Sequence, residues 1–254
     1  MNRQYISYSQ LNMYSRCGMQ YYYRYAEKII LPPEIALVKG HSVHYGIEIN
    51  STQKVETRRD MPKKDIMEIS VMEYEHSIEG AEATADDKGA GKDSVAVLSG
   101  LYADEVSPTI QPVHVEKSID VTLEGVIPIK TIIDCIDDQG NLRDYKTAGK
   151  KKVQKDIDDS LQFTLYHIAY LQEYGKEPAS LKMDVLIDKK TPEYQILESK
   201  RSIENGILAV RKIHAVVDAL QKEVFLPAPE GSWICSPQYC GYYRMCRFKQ
   251  SGQI

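Results

Sequence analysis

Apolar and polar positions along the chain switch between a helical period and a strand period several times. Residues 7–25, SYSQLNMYSRCGMQYYYRY, put Leu11, Tyr14 and Met19 near helical spacing, with Ser7 or Ser9 as N-cap and Gly18 weakening the pattern. Pro32-Pro33 then forces an extended passage. A second helix is expected from about Val38 into residues 50–55, carrying His41, His44 and Glu48. Met61 to Glu75 reads as an amphipathic helix, since Ile66, Ile69, Met72 and Ile78 recur at helical intervals. The stretch after it, ending in AEATADDKGAGKDS, reads as a mobile loop. Residues 52–95, rich in Lys, Arg, Glu and Asp, are read as a helical arm that either contacts substrate or is simply a solvated surface.

From residue 113 the period changes. VHVEKSIDVTLEG alternates like a half-exposed strand, KTIIDCIDD is a mostly buried strand pattern, DQGN is a turn, and LRDYKT is a further strand. Asp158 to Tyr174 follows as a helix with Leu161, Leu165, Ile168 and Leu171 on one face and Asp158 or Asp159 as cap. KMDVLID and EYQILE are strands, and Ile203 to Val224 is a long helix before a cysteine-rich tail at 233–248. This order predicts a single α/β or α+β domain spanning 1–254, with a mixed sheet flanked by helices.

Composition alters this picture little. The 254 residues are 43% hydrophobic and 27% charged, as in an ordinary globular protein. No apolar run approaches the roughly 18 residues that span a bilayer, and no signal-peptide core opens the chain, so an intracellular location with no membrane partner is expected, compatible with a phage origin. The net charge of −4 argues against a protein that coats DNA stoichiometrically. It argues much less against a metal enzyme, whose site needs carboxylates and whose bound cations do not count in the composition. The 18 Tyr against 3 Phe and 1 Trp reflect either compositional drift or rings that stack on bases. Five cysteines, an odd number, argue against a disulfide framework.

The candidate chemistry sits on two adjacent strands. Asp144 and Lys146 are two residues apart on one strand, so they project from the same face. A tight turn at Asp138–Asn141 would return Asp134 to their side. Two carboxylates and a lysine pointing inward are costly without a partner. Hard oxygen ligands favour Mg²⁺ or Mn²⁺ over zinc, and such a metal could polarise a phosphoryl group while the lysine stabilises charge or activates water. By itself Asp144-Tyr145-Lys146 reads as a surface ion pair on an exposed strand face rather than as a site, because such tripeptides are common.

Four motifs in order decide between these readings. Gly40-His41-Ser42-Val43-His44, Ile132-Ile133-Asp134, Asp144-Tyr145-Lys146-Thr147 and Gln162-Phe163-Thr164-Leu165-Tyr166 together resemble the RecB-like branch of the PD-(D/E)XK nuclease superfamily. The resemblance runs from Ser7 to Cys246, apart from the arm, and lacks only the proline of the literal PD. It implies a restriction-endonuclease-like core and a Mg²⁺- or Mn²⁺-dependent deoxyribonuclease, more an exonuclease on single-stranded DNA ends than an endonuclease. It also implies that Asp134, Asp144, His44 and the carbonyl of Tyr145 are metal ligands, with His41 as a rival for His44. Lys146 would orient or activate water, and Gln162 and Tyr166 would position the site or contact DNA. Glu48, one turn beyond His44, would support it.

The remaining cysteines extend the resemblance. Cys17 precedes the core, and Cys235, Cys240 and Cys246 follow it. That layout is similar to the AddB-type and CRISPR-associated adaptation nucleases, in which four thiolates hold a 4Fe–4S cluster that staples the chain ends. Zinc stays open at these thiols. Cys135 is expected in the core. Beside the free nuclease, and beside a structural zinc protein with no nuclease function, two further functions stay open. One is an end-processing subunit working with a helicase, recombinase or integrase in repair or CRISPR adaptation. The other is a non-catalytic nucleic-acid-binding module of the same fold.

Overall fold

The computed structural model describes residues 4–248, so Lys249 and Gln250 at the end of the tail lie outside the described residues. In chain order the elements are β1 (Ile6–Ser7), α1 (Tyr8–Arg16), α2 (Gly18–Tyr21), α3 (Ile35–Thr57), α4 (Lys63–Ser77), α5 (Ala85–Leu101), β2 (Pro112–Val121), β3 (Ile129–Asp137), β4 (Leu142–Ala148), α6 (Gln154–Asp158), α7 (Leu161–Tyr174), β5 (Leu181–Ile187), β6 (Glu193–Ser199) and α8 (Ile203–Gln221). They form two compact units. One gathers Met1–Leu31, Asp120–Thr131 and Ser202–Ile254, and the other Pro32–Ile119 and Ile132–Arg201. No helix among the described residues is long and apolar enough to cross a membrane.

The second unit is built on a mixed sheet. β3 pairs antiparallel with β4, β4 parallel with β5, and β5 antiparallel with β6, while β2 pairs with β3. The β3–β4 turn is fixed by Asp137, whose Oδ1 accepts from the N–H of Gln139 at 3.1 Å and of Asn141 at 2.9 Å, and by Gly140 at φ 80°. The resulting register sets Cys135 opposite Arg143. One face of this sheet, carrying Cys135, Tyr145 and Leu186, packs under α3, α4 and α5 through Val43, Ile47, Ile66, Val95 and Leu98. Cys135 is fully buried there, as expected of a core thiol.

Three local expectations change. The stretch read as a mobile loop contains α5, capped by Thr84, whose hydroxyl accepts from Asp87 N–H at 3.1 Å. Gly91 within it is the place where the Tyr74 ring passes, since a Cβ there would lie 2.9 Å from Tyr74 Cζ, and the Tyr74 hydroxyl donates to Lys88 O at 3.0 Å. α7 starts after Ser160, not at Asp158 or Asp159, and Asp158 accepts instead from Ser199 Oγ at 2.6 Å and Gln154 Nε2 at 3.0 Å. On α7 Leu165 of the expected face is fully buried, but Phe163, Tyr166, Ala169 and Tyr170 are buried as well, and Leu171 is exposed.

In the first unit, Ser7 caps α1 in a reciprocal arrangement with Gln10, by 3.3 Å and 2.8 Å contacts. Cys17 is extended and breaks α1 from α2. Gly18 follows because a Cβ would meet Leu226 O at 2.7 Å and N at 2.8 Å. β1 runs parallel to Ile129–Lys130, the opening of β3. Met19, Tyr23 and Tyr242 form a small core against which Cys17, Cys240 and Cys246 pack.

Candidate active site

The site grows from the β3–β4 hairpin. Continuing its register sets Asp134 across from Asp144, and Tyr145 N–H donates to Asp134 Oδ2 at 2.9 Å. Asp144 is fully buried, and Lys146 Nζ lies 2.7 Å from its Oδ2. Its other oxygen accepts from Gln162 Nε2 at 2.7 Å and Tyr166 OH at 3.0 Å, one turn apart on α7. Gln162 also donates to Tyr166 OH at 2.9 Å, so the two hold each other and the carboxylate. Tyr145 sends its ring the other way, into the core.

The histidine arrives from α3. Gly40 allows that helix close to β4, because a Cβ there would come to 3.1 Å from Thr147 Oγ1. One turn later His44 Nε2 sits 2.7 Å from Asp134 Oδ2. The rival His41 points elsewhere, 3.3 Å from Glu73.

A residue absent from the sequence reading completes the group. Glu116 Oε1 is 3.7 Å from His44 Nδ1, and ligand atoms of His44, Glu116 and Asp134 all lie within 4.8 Å of one another. Glu116 has φ 48° within β2, a rare conformation for a residue with a side chain, and the burial alternation fails around it. An acid in one alternating strand gives no warning of this. The kink is visible only in three dimensions.

The electrostatics are those of a site with too much negative charge for its volume. Burial and the charge of Asp134 push Glu116 up to about 7, and Glu48 adds to the repulsion. Burial and Asp134 likewise push Asp144 up to about 6, against the pull of Lys146. Burial opposes charge on His44, but Asp134 and Glu116 outweigh it and push its pKa up to about 9. Burial would raise Asp134 too, yet His44 outweighs it and holds the carboxyl below its ordinary range. Crowded carboxylates with an imidazole, all converging on one point, are a donor set suited to a hard divalent cation, whose charge would relieve the repulsion.

The cysteines gather elsewhere, within the first unit. Cys17, Cys235, Cys240 and Cys246 line one small pocket with Met19, Tyr23 and Tyr242. Burial, with the neighbouring Cys17 and Cys246, pushes the Cys240 thiol up.

Comparison with known proteins bears on the fold and the family. No curated protein matches the chain. Among solved structures, a provisionally assigned exonuclease from Eubacterium rectale is similar over 98% of this chain and 90% of its own, with TM-score 0.60 and 14% identity, a likeness of fold. SSO0001 covers 89% of this chain and 92% of its own at 13% identity and TM-score 0.39. LHK-Exo in complex with dAMP covers 72% and 92% at 13% identity and TM-score 0.31. The family model for the PD-(D/E)XK nuclease superfamily matches residues 5–247. The fold is α/β and restriction-endonuclease-like, and the chain belongs to the PD-(D/E)XK nuclease superfamily.

Proposed function

We propose that the protein is a Mg²⁺- or Mn²⁺-dependent deoxyribonuclease that works from single-stranded DNA ends. The observation that carries this is the convergence of His44, Glu116 and Asp134, with the Asp144–Lys146 pair on the adjoining strand. The three carboxylates and the imidazole, with the carbonyl of Tyr145, would hold the metal. When bound, a divalent ion supplies Lewis-acid polarisation of the scissile phosphate and neutralises charge on it. Lys146 keeps its ammonium beside Asp144, where it can donate to a phosphoryl oxygen or orient the attacking water. Gln162 and Tyr166 are positioning residues, since they fix one oxygen of Asp144 and leave the other to Lys146. The exonuclease direction matches the provisional assignment of the E. rectale protein. The test is cleavage of 5′- and 3′-labelled single strands, duplexes and closed circles. Shortening from ends, with circles spared, is expected, and cutting of circles would overturn the exonuclease part.

The role of Glu116 has its own test. Glu116→Gln should weaken Mn²⁺ binding by at least about tenfold, as read by calorimetry, because an anionic donor becomes neutral. Affinity equal to the parent's would remove Glu116 from the metal site.

Four thiols lining one pocket suit a cationic centre, and we assign them a structural 4Fe–4S cluster held by Cys17, Cys235, Cys240 and Cys246. It would supplement a core that the short tail cannot build by itself. Protein purified without oxygen should contain iron and acid-labile sulfide. Cys240→Ser should lose most of the iron and unfold roughly 5–15 °C lower. Zinc without sulfide would overturn the assignment.

A further inference from the structure

Just past Lys146 the chain concentrates positive charge that the chemistry above does not use. β4 ends at Ala148 and its parallel neighbour β5 at Ile187, side by side in register. The chain leaves β4 as Gly149-Lys150-Lys151-Lys152 and β5 as Asp188-Lys189-Lys190. The N–H of Asp188 donates to Ala148 O at 2.8 Å, which ties the two exits together. Lys150, Lys151, Lys189 and Lys190 are exposed. Asp188 is paired with Lys39. Glu193 is shared between Lys151 at 3.2 Å and Lys189 at 2.6 Å. The two exits therefore carry a positive excess in a chain of net charge −4, and a local excess of this kind recognises a polyanion.

Lys146 also borders a cavity of about 440 Å³ between α3 and β4, mostly apolar through Leu37, Ile47 and Leu186, with a polar edge at His41, His44 and Thr147. Apolar walls beside a phosphate-handling lysine suit the base of an unpaired nucleotide, which a duplex would keep stacked.

We propose that the strand being cut lays one base in this cavity and its neighbouring phosphates on Lys150, Lys151 and Lys190, so that the ends of β4 and β5 form a track for single-stranded DNA. This rests on the nuclease reading. The test is fluorescence anisotropy of a labelled oligothymidylate, with Ca²⁺ replacing the activating ion, across a salt series. Each phosphate contact to a single strand contributes about −0.7 to the slope of log affinity against log salt. The combined Lys150→Ala, Lys151→Ala and Lys190→Ala variant should therefore flatten the slope by about two and bind more weakly. Leu37→Trp, which fills the cavity from an exposed position, should weaken binding with the slope unchanged. If the triple variant keeps the parent's slope while the parent cuts DNA, the track is wrong and the nuclease reading stands. If Leu37→Trp binds as tightly as the parent, the base cavity is wrong. A parent that neither binds nor cuts DNA overturns both.

Discussion

Lys146→Ala and Asp144→Asn are each expected to lower the initial rate of DNA cleavage by about 10³-fold, with far-UV circular dichroism unchanged. The two residues act as one unit. Lys146 is half-buried against Asp144, and Asp144 has no exposure of its own. Asn keeps the volume and still accepts from Gln162 and Tyr166, so the hairpin should survive. It removes the charge on which both the lysine and a divalent ion depend. Either variant cutting at the parent's rate would show that this cluster is structural.

Removing Arg143 should give the largest loss of stability. Its guanidinium lies 2.9 Å from both oxygens of Asp184 and 3.0 Å from Asp137 Oδ2, and all three side chains are buried. The Tyr194 hydroxyl donates to the same Asp184 carboxylate. Burial still holds Asp184 above the ordinary carboxylate range, while Asn141 and Arg143 outweigh burial and hold Asp137 below it. Arg143→Ala leaves two buried carboxylates without their cation and should cost about 3–5 kcal/mol in urea unfolding. Combining Arg143→Met with Asp184→Leu and Asp137→Asn should recover most of that, because desolvated charge, not lost contact, is the cause. A loss under about 1 kcal/mol for Arg143→Ala would contradict this.

Much of the β3–β4 hairpin was legible in the sequence, because a short turn with Asp, Gly and Asn fixes register and register fixes which side chains share a face. That is why Asp134, Asp144 and Lys146 could be brought together on paper. The spacing of Gly40 and His44 was equally informative, since it combines a close helix–strand approach with an imidazole against Asp134 one turn later. Glu116 was not legible. Its alternation with Val113, Val115 and Ile119 describes a regular strand, and nothing in that pattern marks the positive φ at Glu116. α5 was missed for a related reason. Gly89 and Gly91 look like breakers, but Gly91 exists to admit the Tyr74 ring, a long-range contact. On α7 the apolar stripe located only part of the buried surface, Leu165 but not Leu171, because the helix is buried over most of its circumference and Phe163, Tyr166 and Tyr170 also pack inward.

The central claim is that a divalent ion held by His44, Glu116, Asp134 and Asp144 enables phosphodiester hydrolysis. It is tested most directly by following an end-labelled single-stranded DNA with the purified parent protein, first freed of divalent ions and then titrated with Mn²⁺. No cleavage is expected in chelator, and saturable cleavage is expected as Mn²⁺ is added. Cleavage that persists in chelator, or none at any Mn²⁺ or Mg²⁺ concentration, would contradict it.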